Sequence, residues 1–157
     1  MTHKATALLA ALLATFALQA RAEADLFSGV YRPSMQNQSG SFAVQPVGKD
    51  KWSISSNEVE GEPYKPFPVP GMPPWTLAAN EFINTWFDEA SPRDKITCLA
   101  PAGSERTSFS ICRVPIGTSY QVQEAMSNER ASSATGYIYV SGTFAGAMTG
   151  DLVRSPR

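Results

Sequence analysis

Hydrophobic and polar residues alternate along much of the chain beyond its first 22 residues, as they do in half-buried β-strands. Residues 41–47 and 52–55 are two such segments, and the polar turn between them predicts a hairpin. The longest alternating run is 135–148, which would place Tyr137 and Tyr139 on one face of a strand. Val and Ile together outnumber Leu in this part of the chain, a bias that also favours strands.

The two cysteines lie in a further predicted hairpin. Residues 95–100 and 107–114 contain β-branched or aromatic residues, and turn-forming residues connect the two segments. If the hairpin is centred on Glu105, Cys98 stands opposite Cys112, where a cross-strand disulfide is feasible. A redox or metal pair is the alternative, but thirteen intervening residues and the lack of a histidine partner favour a structural disulfide.

Residues 77–83 are predicted to form a helix, because Thr76 is a suitable N-cap and two prolines precede it at positions 73 and 74. The alternative is a strand at 81–87, since Phe, Ile, Thr and Trp favour sheets. A second short helix is predicted at 123–130. With about six strands and one or two short helices, the chain is predicted to be mainly β, at the margin of α+β. The expected architecture is a small antiparallel sheet, sandwich or barrel.

The first 22 residues have the pattern of a secretory signal peptide. A short basic head precedes an apolar run at 5–18, and Ala20 and Ala22 fit the small-residue cleavage rule. The apolar run is shorter than the roughly 20 residues that span a bilayer. We therefore expect a processed chain that starts at Glu23, without a membrane span. It would form a single β-rich domain at 23–157 and be periplasmic or secreted.

Removal of the signal peptide would also remove His3, the only histidine. Catalysis by Ser-His-Asp or Cys-His groups and metal sites built on histidine are thereby excluded. The sequence also lacks a Gly-x-Ser-x-Gly motif and a phosphate-binding Gly-rich loop. No enzymatic activity, cofactor or metal site is predicted. Asp88 and Glu89, beside Trp86 and Phe87, leave a carboxylate-based carbohydrate-active enzyme as the least favoured alternative.

Charge argues against a nucleic-acid partner. All 14 acidic residues lie beyond the first 22 positions, against 11 of the 13 basic residues, and Lys and Arg form no cluster. Three of the acids, Glu58, Glu60 and Glu62, would line one face of an extended chain but lack the spacing of a calcium-binding loop. We predict instead that they steer a basic partner towards the protein.

These acids belong to an unusual Pro-rich segment that extends from residue 57 to residue 75. Six of the chain's 12 prolines fall between residues 63 and 74, which predicts a stiff polyproline II stretch. Its aromatic residues Tyr64, Phe67 and Trp75 either pack over the core as a strap or project towards a partner. Both interpretations stay open, and our hypothesis is that the three aromatic residues anchor a partner-binding face.

Two classes of function follow. The favoured one is an exported, non-enzymatic binding protein that acts on a protein partner, as an inhibitor or an immunity-like protein. The alternative is a periplasmic carrier of a small ligand, in which Trp52, Tyr137 and Tyr139 line the mouth of a barrel or sandwich. An internal cavity of ligand size would favour the carrier, whereas a filled core with an exposed aromatic patch would favour the protein-binding function. The sequence identifies neither the partner nor the oligomeric state.

Overall fold

The computed structural model describes residues 26–34, 39–67, 73–104, 109–123, 125, 129–143 and 146–155. The predicted signal peptide therefore lies outside the described residues. Within these ranges, no helix combines the length and apolarity needed to cross a membrane.

The described residues form eleven strands, one α-helix and one short 3-10 helix. In chain order they are β1 (Gly29–Pro33), β2 (Ser41–Gly48), β3 (Lys51–Asn57), β4 (Lys65–Pro66), β5 (Trp75–Leu77), α1 (Asn80–Trp86), the 3-10 helix (Arg93–Lys95), β6 (Thr97–Pro101), β7 (Ser110–Arg113), β8 (Ser119–Tyr120), β9 (Ala131–Ser132), β10 (Tyr137–Thr143) and β11 (Gly146–Ser155). Among the described residues, eight strands close an antiparallel barrel in the order β1-β2-β3-β5-β6-β7-β10-β11. The mainly β prediction is confirmed, and the architecture is a barrel.

The interior of the barrel is filled by large apolar side chains. Tyr137 and Tyr139 lie on one face of β10, as predicted, and strand alternation directs that face towards the barrel interior. The buried members of this interior cluster are Phe27, Tyr31, Val44, Trp52, Ile54, Trp75, Leu99, Phe109, Ile111 and Leu152. Because aromatic rings occupy the lumen, the barrel is a packed core.

A second buried layer covers the outside of β6, β7 and β10. Helix α1 contributes Phe82, Ile83 and Trp86 to this layer, and they pack with the outward-facing Ile138 and Val140 of β10. These three strands are therefore buried on both faces, which explains why β10 is apolar on both sides of its alternation.

The disulfide has the predicted position and register. Cys98 on β6 and Cys112 on β7 are direct cross-strand partners, with their Cα atoms 4.0 Å apart. Both are fully buried under α1 in the outer layer, so the bond is inaccessible to solvent.

The predicted start of the helix was wrong. Residues 75–77 form β5, because Trp75 pairs with Pro101 and Leu77 with Leu99 of β6. The helix begins at Asn80, which also contradicts the alternative of a strand at 81–87. Pairing to complete the barrel thus outweighs the capping preference of Thr76.

Two further expectations need correction. The run 135–148 is part of a hairpin, since β10 and β11 pair antiparallel from Thr143 opposite Gly146 to Ile138 opposite Asp151. The barrel has eight strands, whereas about six were expected, because this run contains two strands and because β5 was not expected to be a strand. In the predicted helix 123–130, Ala125 forms a bridge with Ala147, so this part is not helical, and residues 124 and 126–128 lie outside the described residues.

The two ends of the barrel differ. At the end where β1 begins and β11 ends, residues 26–28 cover the lumen: Tyr31 donates a hydrogen bond to the Phe27 carbonyl oxygen (2.7 Å) and Tyr137 to that of Leu26 (2.8 Å). Arg154 donates to the Ser28 carbonyl oxygen (2.8 Å) at the same end. The opposite end, where β1 ends and β2 begins, bears the depressions described next.

Candidate functional site

A small pocket opens at this second end of the barrel. Its volume is about 210 Å³, and we call it the mouth pocket. Six strands or their immediate flanks provide its lining, which consists of Pro33, Phe42, Phe67, Phe109, Tyr139, Ser141 and Met148. Most of these side chains are apolar, and Met148 is 44% exposed, so the pocket offers an apolar surface to solvent.

The phenylalanine rings of the mouth pocket form a continuous wall. The Phe42 ring centroid lies 4.8 Å from that of Phe109 and 5.3 Å from that of Phe67, and the Phe67–Phe109 distance is 4.9 Å. Tyr139 stacks on Phe109 at 6.3 Å with an interplanar angle of 10°. Since the three phenylalanine rings contact each other directly, they leave no space between them for a cation, as an aromatic cage would require. The wall is suited to an apolar group.

An acidic groove adjoins the mouth pocket. Its volume is about 460 Å³, and its lining comprises Phe42, Ser56, Asn57, Glu58, Glu62, Pro63, Lys65, Pro66 and Phe67. The side chains of Glu58 and Glu62 are exposed, and neither carboxylate has a hydrogen bond or ion pair within the described part of the chain. With Lys65, the groove carries a net charge of −1. It is therefore electrostatically complementary to a cationic group.

Glu60 differs from its two neighbours. Its Oε1 accepts a hydrogen bond from Arg32 Nη2 at 2.6 Å, in an ion pair whose side chains are 75% and 54% exposed, respectively. Glu60 is absent from the lining of the groove. The structure thus brings two of the three predicted acids together and turns the third towards β1.

A cleft with two tyrosines adjoins the other side of the mouth pocket. This tyrosine cleft measures about 380 Å³ and is lined by Tyr120, Gln121, Val122, Ala125, Glu129, Arg130, Ala131, Tyr139, Ala147, Met148 and Thr149. Burial raises the pKa of both Tyr120 and Tyr139, so both phenols are protonated at neutral pH. The Tyr120 and Thr149 hydroxyl oxygens are 3.5 Å apart. Arg130, which also lines the tyrosine cleft, is held by an ion pair with Asp88 at 2.7 Å.

The three depressions are contiguous. Phe42 and Phe67 belong to both the acidic groove and the mouth pocket, and Tyr139 and Met148 belong to both the mouth pocket and the tyrosine cleft. We refer to these three adjacent depressions together as the trough, with an acidic section, an aromatic middle section and a section with phenol hydroxyls.

The aromatic residues predicted from the sequence occupy different environments. Phe67 is half-buried in the wall of the trough. Tyr64 is 40% exposed, and its hydroxyl forms a 2.7 Å hydrogen bond with that of Ser41. Trp75 is only 2% exposed and pairs with Trp52 between β5 and β3. The Pro-rich segment therefore supplies one core residue and two residues near the open end, and residues 68–72 lie outside the described residues.

Sequence reasoning missed Phe42 and Phe109 as members of the site. In the sequence, Phe42 belongs only to the alternating segment 41–47 and Phe109 only to the predicted hairpin segment 107–114. Each lies at the end of its strand that reaches the open end of the barrel. Alternation identifies the inward face of such a residue but not its height in the barrel, so the sequence alone had no signal for this position.

The residues predicted to line the mouth of a carrier are also distributed unevenly. Trp52 is 2% exposed, and Tyr137 is bonded to the Leu26 carbonyl oxygen at the closed end, so both contribute to the filled interior. Of the three, Tyr139 alone borders the trough within the described residues.

Asp88 has the wrong electrostatic environment for a glycosidase acid. Burial alone raises its pKa, but hydrogen bonds from Ser91 and Arg130 and the charge of Arg130 outweigh this effect, and the pKa lies below its ordinary value. A general acid needs the opposite shift. In the described ranges, no group of three or more His, Cys, Asp and Glu side chains is arranged to hold a metal ion.

No protein-family model, no curated protein and no solved structure matches this chain.

Proposed function

We propose that this chain is an exported, non-enzymatic protein that binds a protein partner through the trough, as an inhibitor or an immunity-like protein. The observation that carries the proposal is the half-buried aromatic wall beside two carboxylates without partners in the described structure, at the open end of a filled barrel. Export is supported by the signal-like first 22 residues and by the Cys98–Cys112 disulfide.

Several features of the trough are typical of protein interfaces. Aromatic residues and Met are enriched in interfaces, and binding energy concentrates in well-packed pockets with a polar rim. In the trough, Phe42, Phe67 and Met148 form the apolar middle, and Glu58 and Glu62 provide part of the polar surround. These carboxylates would accelerate association with a basic partner and make it dependent on salt.

The volumes favour a partner side chain over a carried ligand in the mouth pocket. Ligand sites usually measure about 300–1,000 Å³. The mouth pocket has about 210 Å³, and the barrel below it is filled. The tyrosine cleft, with about 380 Å³, and the acidic groove, with about 460 Å³, lie within this range and favour the second candidate function, a small-ligand carrier. Mutation of Phe42 or Phe67, which line the mouth pocket but not the tyrosine cleft, would leave ligand binding by a carrier that uses the tyrosine cleft unchanged.

The test is capture of the partner from the native envelope and culture fluid, identification by mass spectrometry and measurement of its affinity for variants. Tyr64→Ala combined with Phe67→Ala should weaken binding by about thirtyfold, since truncation of a hot-spot anchor costs about 2 kcal/mol. Thermal unfolding verifies that the variant is folded at the assay temperature. Leu77→Ala is the matched control, because Leu77 is an exposed apolar residue (45%) at the closed end.

Equal affinities of the double variant and the wild type would overturn the proposal. If the double variant unfolds, Glu58→Gln with Glu62→Gln provides the test at exposed positions, where surface substitutions rarely change stability.

A further inference from the structure

We propose that the occupant of the trough is an extended segment of the partner's chain. It carries a Lys or Arg side chain in the acidic groove and, two residues away, an aromatic or large aliphatic side chain in the mouth pocket. This inference rests on the proposed function and specifies the chemistry of the partner at the same site.

The size of the mouth pocket is that of one side chain. An apolar cavity of about 150 Å³ admits a benzene molecule. The mouth pocket, with about 210 Å³, is somewhat larger and is open to solvent. Its aromatic wall provides the close ring contacts that an apolar side chain requires.

The arrangement of the depressions fits a chain better than a single small molecule. The acidic groove and the mouth pocket share Phe42 and Phe67 and so lie side by side. In an extended segment, side chains two residues apart point the same way and lie about 6.6 Å from each other. Adjacent depressions can therefore be filled by residues i and i+2 of one strand-like segment.

Charge determines which side chain enters the groove. Glu58 and Glu62 have no partner in the described structure, whereas Glu60 is already paired with Arg32. A basic side chain would place its apolar stem along the Phe67 ring and its charged head near the two carboxylates. An acidic side chain at this position would face like charges and is disfavoured.

The test is phage display of random heptapeptides on the mature chain, with parallel selections on two variants. On the wild type, the enriched peptides should share Lys or Arg two positions from an aromatic or large aliphatic residue. Glu58→Gln with Glu62→Gln should remove the preference for the basic residue and keep that for the apolar one. Glu60→Gln, a charge change in the same loop outside the groove, is the matched control and should leave the consensus unchanged.

Affinities of a synthetic peptide with the enriched sequence make the test quantitative. Replacement of its basic residue by Ala should weaken binding to the wild type about tenfold, the expected contribution of a charge-assisted contact. The same replacement should have less than about a twofold effect on the Glu58→Gln/Glu62→Gln protein, because the partner carboxylates are gone.

Three results would overturn the inference. They are no enrichment of any peptide, a peptide consensus without a basic residue, or equal effects of Glu58→Gln/Glu62→Gln and Glu60→Gln on that consensus. If no peptide is enriched and Phe67→Ala still weakens the natural partner, the trough binds a folded surface, and only the extended segment is disproved. If Phe67→Ala leaves the natural partner's affinity unchanged, the proposed function itself fails.

Discussion

Gly150 lies directly beneath the ring of Tyr139, its cross-strand partner. A Cβ atom at position 150 would be 2.8 Å from Cε1 of Tyr139, closer than the two atoms can approach. Gly150→Ala should therefore displace the ring and lower the free energy of unfolding by about 1–3 kcal/mol, as overpacking does. Urea unfolding measures the change.

The matched control is Gly48→Ala in β2, where the added Cβ would meet Lys51 side-chain atoms at 3.9 Å. Neither glycine has the positive φ that would strain an alanine, so a difference in stability between the two variants reports the steric contact of the added Cβ atom. Gly48→Ala should change stability by no more than about 0.5 kcal/mol. Similar values for the two variants would contradict the close packing of Gly150 on Tyr139.

Asp88 makes the stability of the protein depend on pH in the acid range. Its pKa is lower in the folded protein than the ordinary value of 3.8. The stabilisation that the ionised Asp88 carboxylate provides is therefore complete above pH 3.8 and is lost as the pH falls through the folded-state pKa of Asp88. Asp88→Asn should destabilise the protein near neutral pH and much less at about pH 2.

Urea unfolding of both proteins at the two pH values is the measurement. Glu89→Gln removes a charge from the exposed neighbouring residue, and its free energy of unfolding should stay close to that of the wild type at both pH values. A difference between wild type and Asp88→Asn that is independent of pH would show that the ion pair with Arg130 is not the cause.

At the scale of the elements, the disulfide is a covalent link between β6 and β7. Protein made in an oxidising compartment should contain no titratable thiol, since Cys98 and Cys112 are bonded and buried. Cys112→Ser should lower the melting temperature, with a cost of about 2–5 kcal/mol. The bond closes a loop of only 15 residues, for which the chain-entropy model gives about 3 kcal/mol. Two reactive thiols in the folded native protein would refute the prediction.

The elements that the sequence predicted well are those fixed by local patterns. The polar turn after β2 and the turn residues between the cysteines determine two hairpins, including the pairing of Cys98 with Cys112. Residues 75–77 were misassigned because their extended conformation depends on pairing with β6, which follows 20 residues later. The split of 135–148 into two strands was missed because β-branched and aromatic residues continue in the sequence past Thr143, where β10 ends.

At the scale of the whole molecule, closure of the barrel was beyond prediction from the sequence. Closure requires β1 to pair with β11, a contact between Val30 and Ser155 near opposite ends of the chain. Alternation specifies which residues face inwards, but a sheet, a sandwich and a barrel share that alternation. The trough was only partly predicted for the same reason. Glu58, Glu62 and Phe67 are close in sequence, whereas Phe109 and Met148 reach them only in the closed barrel.

The position of Pro66 has a consequence for aggregation. In the large sheet of the described residues, β4 alone pairs with a single neighbour, β3. Phe67 donates its N–H to the Ile54 carbonyl oxygen, so residue 67 belongs to a hydrogen-bonded pair of the two strands. Such pairs alternate with non-hydrogen-bonded pairs along antiparallel strands, so the backbone groups of the adjacent Pro66 point away from β3. Proline has no N–H, and the adjacent Lys65 adds a charge, so another chain finds no donor at this edge. Edge-to-edge pairing at β4 should therefore be disfavoured even where the protein is concentrated.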